Sequence, residues 1–496
     1  MAPLGGFAVL SLPLHTSLEL PTFLLGSYFA LDKLAFGFLL FSSVVWGFAV
    51  LFGLKEKQPW RFWFFFLLTL SGNLGLCVAQ DAASFYLFFA LMTFGAYPLI
   101  ITKQNADALF AGKIYLIMAL FGEMALLVGL FLSVNEAGGH AFEVLFHAAL
   151  SPLSVGFLLV GFGVKVGVFG LHVWLPLAHS IAPTPASAVL SGVMLKAGVL
   201  GWVRFIPFGQ LSFETLGMGL ALLGTVGLFG AVIIGLAQKE LKTVLAYSSV
   251  SQMGVICIAM GLGLQYPKIW EELQPAVVLY IFHHAFVKAG LFFVAGIALH
   301  QRLGAINTIL GILLGLALCG APLSSGAVAK SGIKEVLLLS PRGEVWEWVL
   351  FVGAGFSTVL LVHFFVLIHR AHHAHTASPN VVLGLCVASS ALVAGYGFDA
   401  FHLSDGVPLL LGLGLYLASK HTPYPPFPKG DLLHLIPRFE LHPHIHLAFL
   451  KPLYHDPVLL KRLFLYTEER LARWEISALV WIGLACVSMG LMAVYM

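Results

Sequence analysis

Apolar runs of 18 or more residues recur along nearly the whole of this 496-residue chain, each long enough to cross a bilayer as a helix. That pattern confines the fold to an all-α, polytopic membrane protein. Composition agrees: 59% of residues are hydrophobic and 10% charged, whereas a soluble domain carries about a quarter charged residues. The net charge of +3 comes without any basic tract interleaved with aromatics, so no nucleic-acid surface is expected. Cys77, Cys257, Cys319, Cys386 and Cys486 all fall in apolar runs and form no CxxC pair. They read as small packing residues, and neither a disulfide framework nor a metal cluster is expected. No Lys or Arg precedes Lys33, which speaks against a cleavable signal peptide.

Hydropathy predicts about fourteen transmembrane helices, over 34–54, 61–80, 83–101, 111–133, 153–175, 185–207, 214–237, 241–263, 276–299, 307–338, 346–369, 379–397, 404–420 and 474–495. The loops between them alternate in charge. One set carries Lys55, Lys57 and Arg61; Lys103 and Lys113; Lys239 and Lys242; Arg302; Arg370; and the basic stretch from Lys420. The other carries Asp81; Glu136 and Glu143; Lys268, Glu271 and Glu272; Asp399 and Asp405. Arg204 and Arg342 are the exceptions. Basic loops face the cytoplasm, so both termini are expected outside. Residues 421–473 are the only long hydrophilic segment, Pro-rich at first and amphipathic from Asp456 to Arg473, as suits a helix on the cytoplasmic interface or against a neighbouring subunit.

Five ionisable residues stand near the middle of predicted spans: Glu123, Lys165, Lys196, Lys288 and Lys330. His283 and His284 precede Lys288 by about one turn. A charge at helix centre costs about 2.5–3.5 kcal/mol, so five facing lipid would cost on the order of 12–17 kcal/mol. Snorkelling serves lysines near helix ends, not those a dozen residues from either end. A structural ion pair with Glu123 absorbs one lysine of the four. The remaining reading is an internal hydrated path for ions. Lysine suits proton relay because burial favours its neutral form while nearby charges tune it back, and histidine already titrates in the useful range. Sodium would want carboxylate or carbonyl ligands instead.

Two of these spans carry helix breakers. Around Lys165 stand Gly161, Gly163, Gly167 and Gly170, then His172 and Pro176; before Lys330 stand Gly320-Ala321-Pro322 and Ser324-Ser325-Gly326. Broken helices at membrane depth survive where protein or a water-filled cavity meets the freed backbone groups. Each broken helix is fourth in a block of five, which predicts an internal repeat. The expected organisation is an external segment 1–33, a first helix at 34–60, repeats at 61–207 and 208–370, two helices at 371–420, the tail 421–473 and a last helix at 474–496.

At these residues the chain resembles the antiporter-like subunits of respiratory complex I, membrane-bound hydrogenases, formate hydrogenlyases and Mrp-type cation/proton antiporters. The matching stretches are Val164-Lys165 through Leu171-His172-Val173-Trp174-Leu175-Pro176, Ala178-His179, Ala182-Pro183-Thr184-Pro185-Ala186-Ser187-Ala188, Leu190-Ser191-Gly192, and Leu195-Lys196. They continue with Lys242-Thr243-Val244-Leu245-Ala246-Tyr247-Ser248-Ser249-Val250-Ser251-Gln252-Met253-Gly254, His284 with Lys288, and Ala321-Pro322-Leu323-Ser324-Ser325-Gly326 followed by Lys330. The resemblance spans about residues 30–370. It implies two inverted five-helix repeats, each a half-channel, joined by a polar axis at the membrane midplane. It makes Lys165 and Lys330 the lysines of the two broken helices, Lys196 the connecting one, and His284 and Lys288 the bridge. Three positions depart from the family: Ala90 stands where a glutamate is usual, Leu177 where an aspartate is common, and Gln252 where a histidine is frequent. The chain begins near the family's third helix and carries two extra at its C-terminus. Glu123, on the next helix, is the candidate replacement for the missing glutamate.

The expected function is a proton-translocating subunit of a multi-subunit complex in a bacterial inner membrane, its path carried by Glu123, Lys165, His172, His179, Lys196, His283, His284, Lys288 and Lys330. No cofactor, metal site or catalytic centre of its own is expected, since no nucleotide loop, metal cluster or nucleophile–base pair is visible. Its partners would be the other subunits, with a cytoplasmic redox arm of the quinone-reducing or hydrogen-evolving kind, or a Mrp-like set of partner subunits, as the driver. Two alternatives stand beside this: the membrane half of an inorganic-carbon uptake complex, and a non-conducting scaffold that keeps the fold. The histidines His363, His369, His372, His373 and His375, and His442, His444 and His446, lack zinc-like spacing and read as solvated or interface groups.

Overall fold

The computed structural model describes residues 3–371, 375–395 and 403–419. It opens with a short helix, α1 (Pro3–Leu10), and an antiparallel hairpin, β1 (Ser17–Leu20) with β2 (Ser27–Ala30). The helices that follow are α2 (Lys33–Gly53), α3 (Trp60–Val78), α4 (Ala82–Ile100), α5 (Ala106–Ala137), the short α6 (Phe142–Phe146), α7 (Pro152–Val166), α8 (Trp174–Ile181), α9 (Thr184–Val189) and α10 (Leu195–Phe205). The second half continues with α11 (Glu214–Leu236), α12 (Leu241–Gln265), α13 (Trp270–Ala298), α14 (Ala305–Cys319), α15 (Ser325–Leu338), α16 (Gly343–Arg370), α17 (Val381–Gly395) and α18 (Val407–Ser419). Among the described residues nine helical segments are long and apolar enough to cross a membrane, and four shorter apolar ones accompany them. The chain is an integral membrane protein.

Among the described residues each predicted span between 34 and 420 overlaps helix, with 153–175 and 307–338 each divided by a break. The differences lie in length. α5 overruns 111–133 at both ends and α13 begins at Trp270, ahead of 276, because Asp107, Glu136, Glu271 and Glu272 there are charges that hydropathy reads as loop but a helix accommodates outside the lipid. The predicted span 474–495 and the amphipathic stretch 456–473 lie outside the described residues. The segment 1–33, expected only as an external tail, holds α1 and the hairpin. Its two strands are too short to register in a hydropathy scan, and Asp81 pins the second by accepting from the Tyr28 N–H at 2.9 Å while capping α4 through the Ser84 N–H.

Burial separates the centre from the rim. Some 94% of the apolar window is buried for both Thr184–Phe205 and α12, against 44% for α5, α11 and α16. The rim helices turn Ile117, Phe121, Leu222, Ile233 and Trp348 outward, as lipid-facing residues should. α11 and α12 approach through small residues: a Cβ on Gly224 would stand 2.7 Å from the Gly254 carbonyl oxygen. Backbones that close exclude larger side chains, which is how membrane helices gain van der Waals contact without a hydrophobic driving force.

The two breaks fall where the glycine runs predicted them. Between α7 and α8, Gly167 and Gly170 take φ of +79° and +94°, a region that L side chains rarely adopt. Between α14 and α15 the chain turns through Gly320 (φ +86°) and Leu323 (φ +64°). The freed backbone groups are met by protein: the Trp174 indole N–H donates to the Val164 carbonyl at 2.9 Å, and Gly170 N–H donates to His172 Nδ1 at 3.1 Å.

Candidate functional site

All four midspan lysines and Glu123 are buried in protein, with exposures of 0 to 9%. None faces lipid. Lys165 sits in the last turn of α7 inside an aromatic box, its Nζ 5.6 Å from the Phe89 ring centre, 5.7 Å from Tyr115 and 6.0 Å from Trp174. It donates to the Tyr115 hydroxyl at 3.5 Å, and that hydroxyl donates to the Thr93 carbonyl at 2.6 Å. Lys165 and Glu123 line one cavity, together with Phe89, Thr93, Tyr115 and Trp174. Its volume of about 10 Å³ is near the room one water needs. Both carboxyl oxygens of Glu123 and the Thr93 hydroxyl have no hydrogen-bond partner among the described residues.

Lys330 occupies an equivalent electrostatic station by another route. It lies after its break, on α15, and its Nζ reaches back to donate to the Leu318 and Cys319 carbonyls at 2.9 and 2.8 Å. These carbonyls close α14. Lys165 thus belongs to the last turn of the helix before its break, and Lys330 bonds the last carbonyls of the helix before its own, the end at which a helix dipole favours a cation.

Between these ends the most buried helices carry two separate runs of polar contacts. A π-helical turn at Leu190–Met194 separates α9 from α10, and Lys196 folds back over it to donate to the Ser191 carbonyl. Such turns recur at functional sites because they displace one backbone hydrogen bond. The Ser191 and Ser249 hydroxyls meet at 2.8 Å, joining this span to α12. Ser249 donates to the Leu245 carbonyl at 3.0 Å, and Lys288 of α13 donates to the same carbonyl at 2.9 Å and to the Ser248 hydroxyl at 2.7 Å. One turn earlier on α13, His283 Nδ1 is 2.8 Å from the Ser325 hydroxyl, which is 2.6 Å from that of Ser390. Ser325 begins α15, the helix of Lys330.

The remaining sequence candidates are buried too. His172, within the first break, stacks on Phe169 at 4.7 Å. His179 stacks on Phe292 at 4.6 Å. Both ring nitrogens of His179 and His284, and Nε2 of His283, have no hydrogen-bond partner among the described residues. Buried polar atoms are ordinarily paired with protein or water, so five such nitrogens in one zone set it apart from ordinary core.

Two further residues join the buried polar groups, one read from sequence as a loop charge and one as a departure from the family. Lys242, taken as a loop charge, is buried in the first turn of α12 and donates to the Ala182 carbonyl at 2.8 Å. Its place in the Lys242–Gly254 stretch was the available signal. Gln252, the departure from a frequent histidine, is fully engaged, accepting from the Tyr280 hydroxyl at 2.7 Å and donating to the Ser357 hydroxyl at 2.9 Å. Of the histidines outside the core, His363 Nε2 lies 3.0 Å from the Gln238 carbonyl, a link from α16 to the turn between α11 and α12. His372, His373, His442, His444 and His446 lie outside the described residues.

Residues 79–361, more than half of the chain, match the family described as NADH:quinone oxidoreductase/Mrp antiporter, TM. The chain belongs to this family. Among members of this antiporter-like family, hydrogenase-4 component B of Escherichia coli (strain K12) is 27% identical over 415 residues, covering 75% of this chain and 61% of that protein. NAD(P)H-quinone oxidoreductase chain 4 2 of Microcystis aeruginosa is 28% identical, covering 61% and 55%. Na(+)/H(+) antiporter subunit A1 of Staphylococcus haemolyticus is 28% identical, covering 71% and 49%. The chain thus spans about half to three-fifths of the length of these relatives. The fold is shared with a chain of the archaeal membrane-bound sulfane sulfur reductase (TM-score 0.69, 23% identity, covering 84% of this chain and 91% of that one). It is shared also with a chain of the Mrp complex from Dietzia sp. DQ12-45-1b (TM-score 0.63, 18% identity, covering 84% and 89%).

Proposed function

We propose that this antiporter-like subunit translocates protons within a larger energy-coupling membrane complex, along a midplane path of Glu123, Lys165, His172, His179, Lys196, His283, His284, Lys288 and Lys330. The observation that carries this reading is the interior placement of four lysines at membrane depth. Burying charged side chains at membrane depth is costly, and those retained there mark ion routes by default. The reading is supported by the Ser191–Ser249 contact, by the Leu245 carbonyl that accepts from both Ser249 and Lys288, and by imidazole nitrogens without a hydrogen-bond partner among the described residues.

In this reading the blocks 61–207 and 208–370 are inverted repeats, each supplying a half-channel. The chain lies in a bacterial cytoplasmic membrane with both termini outside, and a cytoplasmic partner drives the ion movement. Named relatives are components of hydrogenase, quinone-oxidoreductase and cation/proton antiporter assemblies, which supports a complex without selecting one. A non-conducting scaffold is the second reading, favoured by Ala90 at the family's glutamate position. The Glu123–Lys165 cavity weighs against it.

The test is proton uptake by vesicles carrying the assembled complex, with Lys196→Met or Lys288→Met in this chain. Abolished uptake with intact assembly is expected. Wild-type uptake in both variants would leave the scaffold reading.

A further inference from the structure

A second cavity, of about 790 Å³, opens where the start of α14 meets the end of α16. Arg302 and His369 line it beside the loop, and Ile312, Val362, Phe365 and Val366 line it further along α14 and α16. Ile312 lies seven residues into α14 and Val362 seven residues before His369. At 1.5 Å per residue both sit about 10 Å along their helices from the basic end, roughly the distance from a phosphate to the upper acyl chain. Arg302 is held in place by its backbone. Its N–H donates to the His375 carbonyl at 2.9 Å and its carbonyl accepts from Ala377 N–H at 2.8 Å. Asn307 fixes the same turn, donating to the Ser378 carbonyl at 2.8 Å and accepting from Asn380 N–H at 2.9 Å.

We infer that this cavity is a binding site for an anionic phospholipid, with the phosphate at Arg302 and His369 and an acyl chain along Ile312, Val362, Phe365 and Val366. Basic pockets between helices at a membrane face take acidic headgroups, and each basic residue adds to the preference. The volume suits a glycerol with the first carbons of its chains. The chain's own tail is the rival occupant. Residues 421–473 carry seven Lys/Arg against five Asp/Glu, a balance that gives a basic end no advantage in holding them.

The test uses the full-length chain, delipidated and examined by native mass spectrometry with phosphatidylglycerol, with phosphatidylethanolamine and with inorganic phosphate. Phosphatidylglycerol is expected to be retained about tenfold over phosphatidylethanolamine, with Arg302→Ala plus His369→Ala lowering that ratio by about fivefold or more. Val366→Trp, which fills the apolar part and leaves the basic end, is expected to remove both lipids, and it serves as the independent variant should the double substitution fail to accumulate. Equal retention of the two lipids, an unchanged ratio in the double variant, unchanged retention in Val366→Trp, or displacement of the lipid by millimolar phosphate would overturn the assignment. So would binding that appears only after removal of residues 421–496, which would give the cavity to that segment.

Discussion

Lys330 reaches back across the break in its own helix and donates to the Cys319 carbonyl at 2.8 Å. The amine proposed to carry a proton thus also holds the end of α14, so its charge and the geometry of the break are linked. Lys330→Met removes a cation from the carbonyls that end that helix, and an unsatisfied buried acceptor costs about 1–3 kcal/mol. We expect a lower melting temperature and lost proton uptake. Lys330→Arg, which keeps the donors, should restore most of the melting temperature, read by thermal unfolding of the purified complex.

Glu123 is expected to be the functional carboxylate in place of the family glutamate replaced by Ala90. Glu123→Gln preserves shape in the 10 Å³ cavity beside Lys165 and should reduce proton uptake by about tenfold or more. Glu123→Asp should retain a measurable part. Uptake unchanged in Glu123→Gln would return Glu123 to a structural role.

The second break depends on a close approach. A Cβ on Gly326 would lie 1.8 Å from the Ala317 carbonyl oxygen, so Gly326→Ala forces α14 and α15 apart. Overpacking of this kind costs about 1–3 kcal/mol. We expect a clear fall in melting temperature and disturbed transport, whereas Gly219→Ala, where a Cβ meets nothing within 4 Å, should leave both unchanged.

Outside the membrane interior, Asp32 caps α2 and takes the Arg204 guanidinium at 2.6 and 3.0 Å. Burial pushes its carboxyl up, but Arg204, the Ala35 N–H and Gln80 outweigh burial and hold it below the usual carboxylate value. A depressed carboxylate contributes stability above its unfolded value, about 3.9, and that contribution fades as pH falls through the folded value. The difference in melting temperature between wild type and Asp32→Asn should therefore be flat from about pH 8 to pH 5 and close below about pH 4. A difference that instead grew on acidification would contradict the pairing.

The parts of this architecture legible in sequence are those written in single residues or in period. Apolar runs located the helices, and Gly167, Gly170, Gly320 and Pro322 located the breaks, because a backbone polar group freed in lipid has few residue types that tolerate it. What stayed illegible depends on two distant segments meeting. Lys242 was read as a loop charge because hydropathy cannot see that the Ala182 carbonyl awaits it. The hairpin of Ser17–Leu20 and Ser27–Ala30 gave no periodic signal in so few residues. Glu123 could be nominated by its depth alone, but its place beside Lys165 came only from the packing of α5 on α7.

Proton uptake, measured in vesicles by quenching of a pH-sensitive dye, tests the buried-amine path most directly when Lys165, Lys196, Lys288 and Lys330 are each changed to Met in the assembled complex. Each substitution should lower the initial rate by about tenfold or more while the complex still assembles. Wild-type rates in all four variants would contradict a route through these lysines.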